Sequence, residues 1–415
     1  MKQKFIADFH IHSKYSHATS KYMDLLALST WGQFKGIGVM GTGDFTHPIW
    51  QAELKEQLQP AESGLFELKP TYQATVASRV YQSCASWQRF LLSSEVSTIF
   101  KRNGKCYRVH SILLAPDFTA VEKITAQLAK IGNVVHDGRP ILGCDVKDVL
   151  KIVLDASPDC MLIPAHIWTP WFGLLGSKSG FNSVRDAFEE LTDHIYAVET
   201  GLSSNLLMNA QLSELDRFAL LCNSDAHSVQ NLGREANMMH TQLSYQGIVQ
   251  ALRLNDPQQL VAGIEFFPER GKYYGDGHRA CNVYATPDQT QQCKGICSGC
   301  GKPLTVGVLN RVEQLADRTV QQAAHYKRQS YQVAPLHDIL EQELQAAATS
   351  QKVVKMYHHM LQNIGNEFFI LLHAPIEQIA QVSTPAIAYS IAKIRMGDLI
   401  IQPGYDGVYG QIVFK

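Results

Sequence analysis

The feature that most constrains the fold is a series of seven short apolar runs in the first 230 residues. Each carries a histidine, aspartate or glutamate at or near one end. The runs are Phe5–His12, Ile37–Asp44, Phe90–Glu95, Tyr107–Pro116, Met161–His166, Ile195–Thr200 and Ala219–His227. Continuous apolar runs are typical of strands buried on both faces, as in a parallel sheet covered by helices. Because barrel enzymes keep their chemistry at the carboxyl ends of such strands, the pattern favours a (βα) barrel with polar residues gathered at one end.

The composition is that of an ordinary globular protein, with 45% hydrophobic and 18% charged residues among 415. No run of 18 apolar residues occurs, so we expect no membrane span. The basic start lacks an apolar segment after it, so we expect no signal peptide and a cytoplasmic location. The formal net charge of −1 gives no overall basic footprint for nucleic acid. Bound cations would nevertheless attract anions to a carboxylate-lined cleft.

The patterning predicts an α/β fold with three domains. Apolar runs alternate with amphipathic segments such as Ala120–Ile131, which predicts a barrel over residues 1–267 with Leu260–Phe267 as an eighth strand. Residues 268–307 are rich in glycine, cysteine and turn formers, which predicts a small zinc-binding module. Residues 308–415 have a mostly helical pattern and are predicted to form a C-terminal domain.

The first run predicts a metal site. In Asp8-Phe9-His10-Ile11-His12 the alternation of a strand places the two histidines on one face, about 7 Å apart. A lone His-x-His also fits two structural histidines, but further histidines and carboxylates fall on the later runs. The predicted metal ligands are His10, His12, Asp44, Glu95, His110, His166, Asp225 and His227.

Eight nitrogen and oxygen ligands exceed the three or four that one zinc ion needs, so they suit two or three ions bridged by carboxylates. Such clusters hydrolyse phosphoesters, because one ion lowers the pKa of bound water while another binds the phosphoryl and leaving oxygens. The imidazoles favour Zn, Mn or Fe over Mg. The predicted catalytic carboxylates are Asp225, Glu95 and Asp44, with Asp225 holding the ion that carries the nucleophile.

A second metal site is predicted near the middle of the chain. His278 and Cys281 precede Cys297 and Cys300 by 15 intervening residues, and each pair has two residues between its members. This spacing matches a structural zinc site, with Cys293 as the alternative to His278 for the fourth ligand and free thiols as the alternative to zinc. The segment has little apolar content, so we expect it to need the ion to fold.

Aromatic and basic residues near the predicted cluster are candidates for binding DNA. Trp168 and Trp171 follow His166 and are suited to stack on a base, the alternative being burial in the core. The predicted phosphate-binding cations are Arg139, Lys178 and Arg234. Their alternative role is in ordinary surface ion pairs.

The order His-x-His, a TxD-like turn, Glu, His, His and Asp-x-His resembles the PHP (polymerase and histidinol phosphatase) metallohydrolases. This resemblance implies a distorted, seven-stranded (βα) barrel around a three-metal centre. The chain departs from the family pattern twice. Thr42-Gly43-Asp44 replaces the common Thr-Asp-His turn, and the further histidine of the pattern falls on Ala18, beside His17.

The finer resemblance is to endonuclease Q, a PHP-type nuclease. It rests on HIHSKYSHATS, GTGDFTHPIW, DGRPILG, IPAHIWTPWFGLLGSKSGF, ETGLSSN, NSDAHS, LGREAN, CGKPLTVGVLNRVEQLADR and PGYDGVYG, which span nearly the whole chain. The resemblance implies a metal-dependent DNA repair endonuclease that cuts 5′ to deaminated bases (uracil, hypoxanthine or xanthine) or abasic sites. It leaves a sliding-clamp partner open. His17 and His47 are not assigned as ligands.

Two other functions fit the same cluster. A small-molecule phosphatase of the histidinol phosphatase type would use it, but would not require the zinc module and C-terminal region. A non-catalytic nucleic-acid binding protein would be expected to lose ligands that this chain retains.

Overall fold

The computed structural model describes residues 2–326 and 328–413. Within them the strands are β1 Lys2–Asp8, β2 Val39–Gly41, β3 Leu58–Pro60, β4 Phe66–Leu68, β5 Arg89–Arg102, β6 Lys105–Ala115, β7 Ile141–Leu142, β8 Met161–Pro164, β9 Ala197–Glu199, β10 Ala219–Leu221, β11 Ala236–Gln242, β12 Leu260–Phe266, β13 Asp276–His278, β14 Val283–Ala285, β15 Gln329–Val333, β16 Ile400–Gln402 and β17 Gln411–Val413.

The helices in the same residues are α1 Leu25–Lys35, α2 Pro48–Gln57, α3 Pro70–Ala77, α4 Phe118–Leu128, α5 Val146–Ala156, α6 Val184–Phe188, α7 Leu206–Asn209, α8 Tyr245–Leu254, α9 Pro287–Gln292, α10 Val308–Leu315, α11 Val320–Ala323, α12 Leu336–Leu344, α13 Gln351–Asn363, α14 Glu367–Leu372, α15 Ile376–Val382 and α16 Pro385–Met396. Side-chain caps begin many of them. Asp24 accepts a hydrogen bond from Ala27 N at the start of α1, and Asp117 accepts one from Ala120 N at the start of α4.

The fold is mixed α/β, with a central eleven-stranded sheet and a helical C-terminal region. All seven apolar runs contain strands, as predicted. The expectation of a purely parallel sheet is wrong. Strand β1 pairs in parallel with β2, and β2 with β5, but β5–β6, β6–β8, β1–β11 and β11–β12 are antiparallel. Continuous apolar runs indicate burial on both faces, and antiparallel strands inside a closed core are buried in the same way.

The strands β9 and β10 form a parallel pair that connects the two sides of the main sheet. On one side, Ile167 N, just after β8, donates a hydrogen bond to the Glu199 carbonyl. On the other, His12 N, just after β1, donates to the Ala226 carbonyl. One buried apolar cluster takes side chains from β1, β2, β5, β6, β8, β9 and β10. Side chains of these strands therefore share one part of the core.

The hairpin of β5 and β6 is longer than the sequence predicted. Glu95 and His110 lie within it, opposite Ile112 and Ser97, and not at a strand end. The hairpin continues past the polar residues to a turn at Asn103 and Gly104, both with positive φ.

The C-terminal region packs on the α/β region through a buried ion pair and a strand. Strand β15 pairs in parallel with β12, so residues 308–415 contribute to the edge of the main sheet. The Lys35 Nζ at the end of α1 lies 2.7 Å from the Glu367 carboxylate of α14, and both side chains are buried. Among the described helices, none is both long and apolar enough to cross a membrane.

Candidate metal centre

Six of the eight predicted metal ligands lie together, in two groups that share Glu95. The first group is His10, His12, Glu95 and Asp225, and the second is Glu95, His110 and His166. Within each group the candidate ligand atoms all lie within 4.8 Å of one another. Side chains distant in sequence thus meet at one place, in the arrangement that a metal ion requires.

Glu95 directs one carboxylate oxygen to each group. Its Oε2 lies 3.6 Å from His10 Nε2 and 3.3 Å from His12 Nε2. Its Oε1 lies 2.7 Å from His110 Nδ1 and 3.1 Å from His166 Nε2. A carboxylate oriented in this way is suited to bridge two ions.

Asp225 completes the first group from the loop after β10. Its Oδ1 lies 3.1 Å from His12 Nε2 and 3.6 Å from His10 Nε2. His10 Nε2 is buried and, among the described residues, has no hydrogen-bond partner. Since an imidazole nitrogen seldom remains buried without a partner, this atom fits a divalent cation held between Glu95 and Asp225.

The electrostatics of the cluster favour positive charge at its centre. Burial raises the pKa of Asp225, but the neighbouring His10 and His12 outweigh burial and hold it well below its usual value. Burial likewise opposes the ionised form of Glu95, yet its pKa stays well below the usual value beside His110, Arg139 and His10. Burial lowers the pKa of His110 to about 4 despite the nearby Glu95, so its imidazole is neutral at pH 7, the form that binds metals.

Asp44 lies beside the first group but outside it. Its Oδ1 is 3.1 Å from His12 Nδ1, and its Oδ2 accepts hydrogen bonds of 2.6 Å from both the backbone N–H and the hydroxyl of Ser13. Its oxygens are therefore used to orient His12. The assignment of Asp44 as a ligand and catalytic carboxylate stays a prediction.

His227 also lies beside the first group. Its ring centroid is 4.3 Å from that of His12, and its Nδ1 is 3.0 Å from the Asp225 carbonyl oxygen. Ala18, where the family pattern has a histidine, has a φ of 60° and lines a cleft together with Asp225 and His227. His17 is exposed, with its ring centroid 5.2 Å from that of His136.

Glu199 is the buried polar residue of this site that the predicted ligand set omitted. Both its oxygens lie 3.0 Å from His10 Nδ1, and they also accept hydrogen bonds from His166 N at 2.7 Å and Asn223 Nδ2 at 2.9 Å. Glu199 ends β9, and its position as a carboxylate at the end of an apolar run is the signal by which the sequence could have identified it.

Of the five predicted DNA-binding residues, Arg139, Trp171 and Arg234 line the cleft. The prediction that Trp168 binds DNA is wrong. Trp168 is only 1% exposed, and its Nε1 donates to Asn209 Oδ1 at 2.8 Å. It is part of the core because its loop folds inward after His166, and it is not available to a base. Trp171 is 38% exposed at the cleft, and Lys178 is exposed on the same loop.

The two arginines predicted to bind phosphate donate hydrogen bonds to residues of the candidate metal centre. Arg139 Nη1 donates to Glu95 Oε2 at 3.1 Å. Arg234 Nε and Nη2 donate to the carbonyls of Ser224 and Asp225 at 2.7 and 3.1 Å. Both arginines line the cleft, so they brace the site and also present positive charge to it.

The cleft above the cluster has a volume of about 510 Å³. Its lining combines ligands from both groups with Trp171, Phe172, Lys272, Tyr273 and Tyr409. The Trp171 and Tyr273 rings meet edge to face, with centroids 5.8 Å apart. The cleft therefore brings basic side chains and aromatic rings beside the candidate ligands.

The second predicted metal site has its four residues together. His278, Cys281, Cys297 and Cys300 have candidate ligand atoms within 4.8 Å of one another. Cys300 Sγ lies 3.4 Å from His278 Nδ1. The Cys293 thiol is directed instead to the Thr290 carbonyl, at 3.4 Å, so the geometry favours His278 as the fourth ligand.

Several known proteins are similar in sequence to this chain. Residues 335–398 match the family described as the MJ0043 C-terminal domain. The uncharacterised protein MJ0043 of Methanocaldococcus jannaschii is 28% identical over 299 residues, which cover 70% of this chain and 36% of that protein. The uncharacterised protein YqxK of Bacillus subtilis is 28% identical over 425 residues, covering 99% of each chain. The chain thus spans about a third of the length of MJ0043 and nearly all of YqxK.

Two solved structures are similar over nearly the whole chain. The lesion-specific endonuclease PfuEndoQ from Pyrococcus furiosus has a TM-score of 0.83 and 28% identity, with 99% of this chain and 95% of that chain covered. Endonuclease Q in complex with a 27-mer duplex substrate carrying an abasic lesion at the active site has a TM-score of 0.85 and 28% identity, with coverage of 99% and 96%.

Fold and site together define a class: a mixed α/β protein with candidate metal-binding groups of histidine and carboxylate in a cleft. The resemblance to the endonuclease Q family that the motifs predicted is confirmed by the solved structures.

Proposed function

We propose that the protein is a metal-dependent DNA repair endonuclease that cuts the phosphodiester 5′ to a deaminated base or an abasic site. The observation that carries this proposal is the buried Glu95, which directs one oxygen to each group of candidate ligands beneath a cleft lined by cations and aromatic rings. The likeness to a lesion-specific endonuclease, and to one bound to a duplex with an abasic lesion, supports it.

The proposed architecture is the distorted seven-stranded barrel of the PHP proteins. The succession β1, β2, β5, β6, β8, β9, β10 and back to β1 supports it, since each neighbour is joined by strand pairing or by a backbone hydrogen bond. We propose that the chain has three units, residues 1–267, 268–307 and 308–415. Strand β15 of the third unit extends the sheet of the first.

One ion would be held by His10, His12, Glu95 and Asp225, and a second by Glu95, His110 and His166. Divalent ions at such a site lower the pKa of bound water and stabilise charge on the phosphoryl and leaving oxygens. The imidazoles favour Zn, Mn or Fe. Asp44 and His227, which both contact His12, are the remaining predicted ligands and would hold a third ion.

The chain's own residues bind and orient the DNA. Arg139 and Arg234 present positive charge beside the cluster, where a phosphate is attracted to it. Trp171 and Tyr273 at the cleft are placed to stack on a base drawn out of the duplex. Lys178 is exposed on the loop of Trp171, and the exposed Arg108 lies over the Phe172 ring, so both extend the basic surface.

The four-residue group around Cys297 is proposed to bind one structural zinc ion. It would fold residues 268–307, which carry few buried apolar side chains of their own. This unit contacts the loop of Trp171 through the Val306 carbonyl, which accepts from the Ser177 hydroxyl at 2.9 Å. Arg311 of the adjoining α10 donates to the Leu175 and Phe181 carbonyls of the same region at 2.9 Å. The module thereby supports the loop that carries Trp171.

The small-molecule phosphatase is the competing function. Incubation with Mn²⁺ and three substrates separates the two: a duplex with one uracil or hypoxanthine, the same duplex undamaged, and a phosphate monoester. We expect cutting of the damaged duplex alone. Hydrolysis of the monoester with no cutting of DNA would favour the phosphatase, and binding without hydrolysis would favour a non-catalytic role.

A further inference from the structure

Glu199 lies between the two groups of candidate ligands and contacts a member of each. We infer that Glu199 is a positioning residue, which fixes the ring of His10 and the backbone of His166 so that both groups are arranged before any ion binds. This inference rests on the proposed metal-dependent function, since it concerns the ligands that function would use.

The first contact fixes the tautomer of His10. A carboxylate only accepts hydrogen bonds, so the His10 Nδ1 that lies 3.0 Å from both Glu199 oxygens carries the hydrogen. In the neutral imidazole that binds a metal, the lone pair is then on Nε2, which lies 3.6 Å from Glu95 Oε2 and from Asp225 Oδ1. A carboxylate on the far nitrogen of a histidine is the usual device that makes the near nitrogen a ligand.

The second contact fixes the backbone of His166. This residue has φ 28°, a region that L side chains rarely adopt. Its N–H donates to Glu199 Oε2 at 2.7 Å, and Gly201, two residues after Glu199, packs so closely that a Cβ there would lie 2.7 Å from His166 Cβ. The strained conformation that directs His166 Nε2 to Glu95 is thus held by the end of β9 and the turn after it.

A row of buried polar groups holds Glu199 in turn. Asn223 Nδ2 donates to Glu199 Oε1 at 2.9 Å, Asn237 Nδ2 donates to Asn223 Oδ1 at 3.1 Å, and Arg328 Nη2 donates to Asn237 Oδ1 at 3.1 Å. Every hydrogen bond in the row points toward the carboxylate. Arg328 begins the row from the segment just before β15, so the C-terminal region supports the cluster.

Backbone donors determine which way each amide faces. Phe9 N donates to Asn223 Oδ1 at 3.0 Å, and Cys222 N donates to Asn237 Oδ1 at 3.1 Å. Rotating either amide by half a turn would bring two donors together at the backbone. The orientation of the row, and with it the acceptor character presented to His10, is therefore determined by the fold.

The test compares Mn²⁺ binding to Glu199→Gln and to the parent chain, measured without DNA by electron paramagnetic resonance after chelation of bound metal. Glutamine keeps the shape, but its amide nitrogen must replace Oε1 or Oε2, so this donor faces His10 Nδ1 and either Asn223 Nδ2 or His166 N, which are donors as well. We expect Mn²⁺ affinity to fall about 10- to 100-fold, while the melting curve of the metal-free protein changes little.

Glu265→Gln is the matched control. Glu265 is also a buried strand glutamate that accepts a backbone hydrogen bond, from Leu206 N at 2.7 Å, and it lies outside both ligand groups. Burial raises its pKa, so glutamine resembles its neutral form, and we expect unchanged Mn²⁺ affinity.

A second variant keeps the inference testable if Glu199→Gln does not fold. Asn237→Asp retains the acceptor for Arg328 but sets an oxygen against Asn223 Oδ1, and we expect a smaller loss of Mn²⁺ affinity in the same direction. Parental affinity in a folded Glu199→Gln or, failing that, in Asn237→Asp would overturn the inference, as would a parent chain that binds no Mn²⁺ here. A parent chain that binds Mn²⁺ but cuts no DNA would overturn the proposed function alone.

Discussion

At the scale of single residues, the candidate centre is marked by strained backbone. Asp44, His166 and Asp225 have φ values of 49°, 28° and 46°, in the left-handed region. Such conformations persist only where surrounding contacts hold them, and they concentrate at functional sites. Those contacts are the hydrogen bonds that Ser13 donates to Asp44, Arg234 donates to the Asp225 carbonyl and His166 N donates to Glu199.

Replacing Asp225 is the most direct residue-scale test of the cluster. Asp225→Ala removes an oxygen that lies 3.1 and 3.6 Å from the two histidines of the first group. We expect turnover on damaged DNA to fall at least about a thousandfold, since a metal-activated water supplies several kcal/mol of transition-state stabilisation. Circular dichroism should show a folded protein.

Asp193→Ala is its matched control, because Asp193 is an exposed aspartate paired with Arg217 on the surface. We expect its turnover to be unchanged. Near-parental cutting by a folded Asp225→Ala would remove Asp225 from the catalytic set.

Trp171 is predicted to stack on a base at the cleft. Trp171→Ala should weaken binding of damaged DNA by about 1–3 kcal/mol, or about 5- to 150-fold, the usual contribution of a base stacked on an aromatic ring. Trp87, which is 39% exposed and packs against Phe5 away from the cleft, is the control of equal exposure. Fluorescence anisotropy measures both affinities, and equal affinities for Trp171→Ala and Trp87→Ala would exclude stacking on Trp171.

The residue types that interrupt apolar runs could be read from the sequence, but the partners of these residues could not. His10, His12, Glu95 and Asp225 stand out because histidine and carboxylate interrupt apolar runs. Glu199 interrupts a run in the same way, and only the fold shows that it faces His10 Nδ1. Trp168 and Trp171 are likewise equivalent in sequence, and the course of the loop decides that the first is buried and the second exposed.

At the scale of elements, strand positions were predictable and strand directions were not. Each apolar run contains a strand, because burial on both faces leaves a compositional signal. The direction of a strand depends on its connections, and a tight turn at Asn103 and Gly104 makes β5 and β6 an antiparallel hairpin. Glu95 and His110 consequently face the cluster from the middle of strands.

The proposed zinc site is tested by removing two of its cysteines. The double variant Cys297→Ser, Cys300→Ser should lose one zinc ion per chain and the fold of its module, while the cluster around Glu95 keeps its own ions. Metal analysis of purified protein measures this. Cys293→Ser is the matched control and should retain the zinc ion, because the Cys293 thiol is directed to the Thr290 carbonyl. An unchanged zinc content in the double variant would refute the assignment.

At the scale of the whole molecule, a buried charge cluster joins the C-terminal helices to the α/β region. Glu367 accepts from Lys35 at 2.7 Å, from the Tyr357 hydroxyl at 2.8 Å and from Leu336 N at 3.0 Å. Burial would raise the pKa of Glu367, but the Lys35 charge outweighs it and holds the pKa below 4.5. Burial lowers the pKa of the adjacent His337 to about 4.

Both shifts make this junction weaker in acid. A carboxylate with a depressed pKa stabilises the fold above pH 4.5, and that contribution is lost as the pH falls through its folded-state value. A histidine with a depressed pKa disfavours the folded state progressively as the pH falls from 6.5 toward 4. Protonation of either group as the pH falls therefore reduces the stability of the folded state.

Glu367→Gln isolates the contribution of the Glu367 carboxylate to the free energy of unfolding. At pH 7 it should reduce the free energy of unfolding by about 3–5 kcal/mol, because it leaves Lys35 buried without its partner charge. The difference from the parent chain should narrow as the pH falls below 4.5 and through the lower folded-state pKa, where the parent carboxylate also becomes neutral. Urea unfolding at several pH values measures it, and a difference independent of pH would show that Glu367 is not ionised in the fold.

The position of the cut on a damaged strand tests the central claim most directly. The parent chain, freed of metal and then supplied with Mn²⁺, acts on an end-labelled duplex with one hypoxanthine. We predict a metal-dependent nick on the 5′ side of the lesion with the base still attached to its sugar, and no nick in the undamaged duplex. Free hypoxanthine in solution, or equal cutting of both duplexes, would contradict the account.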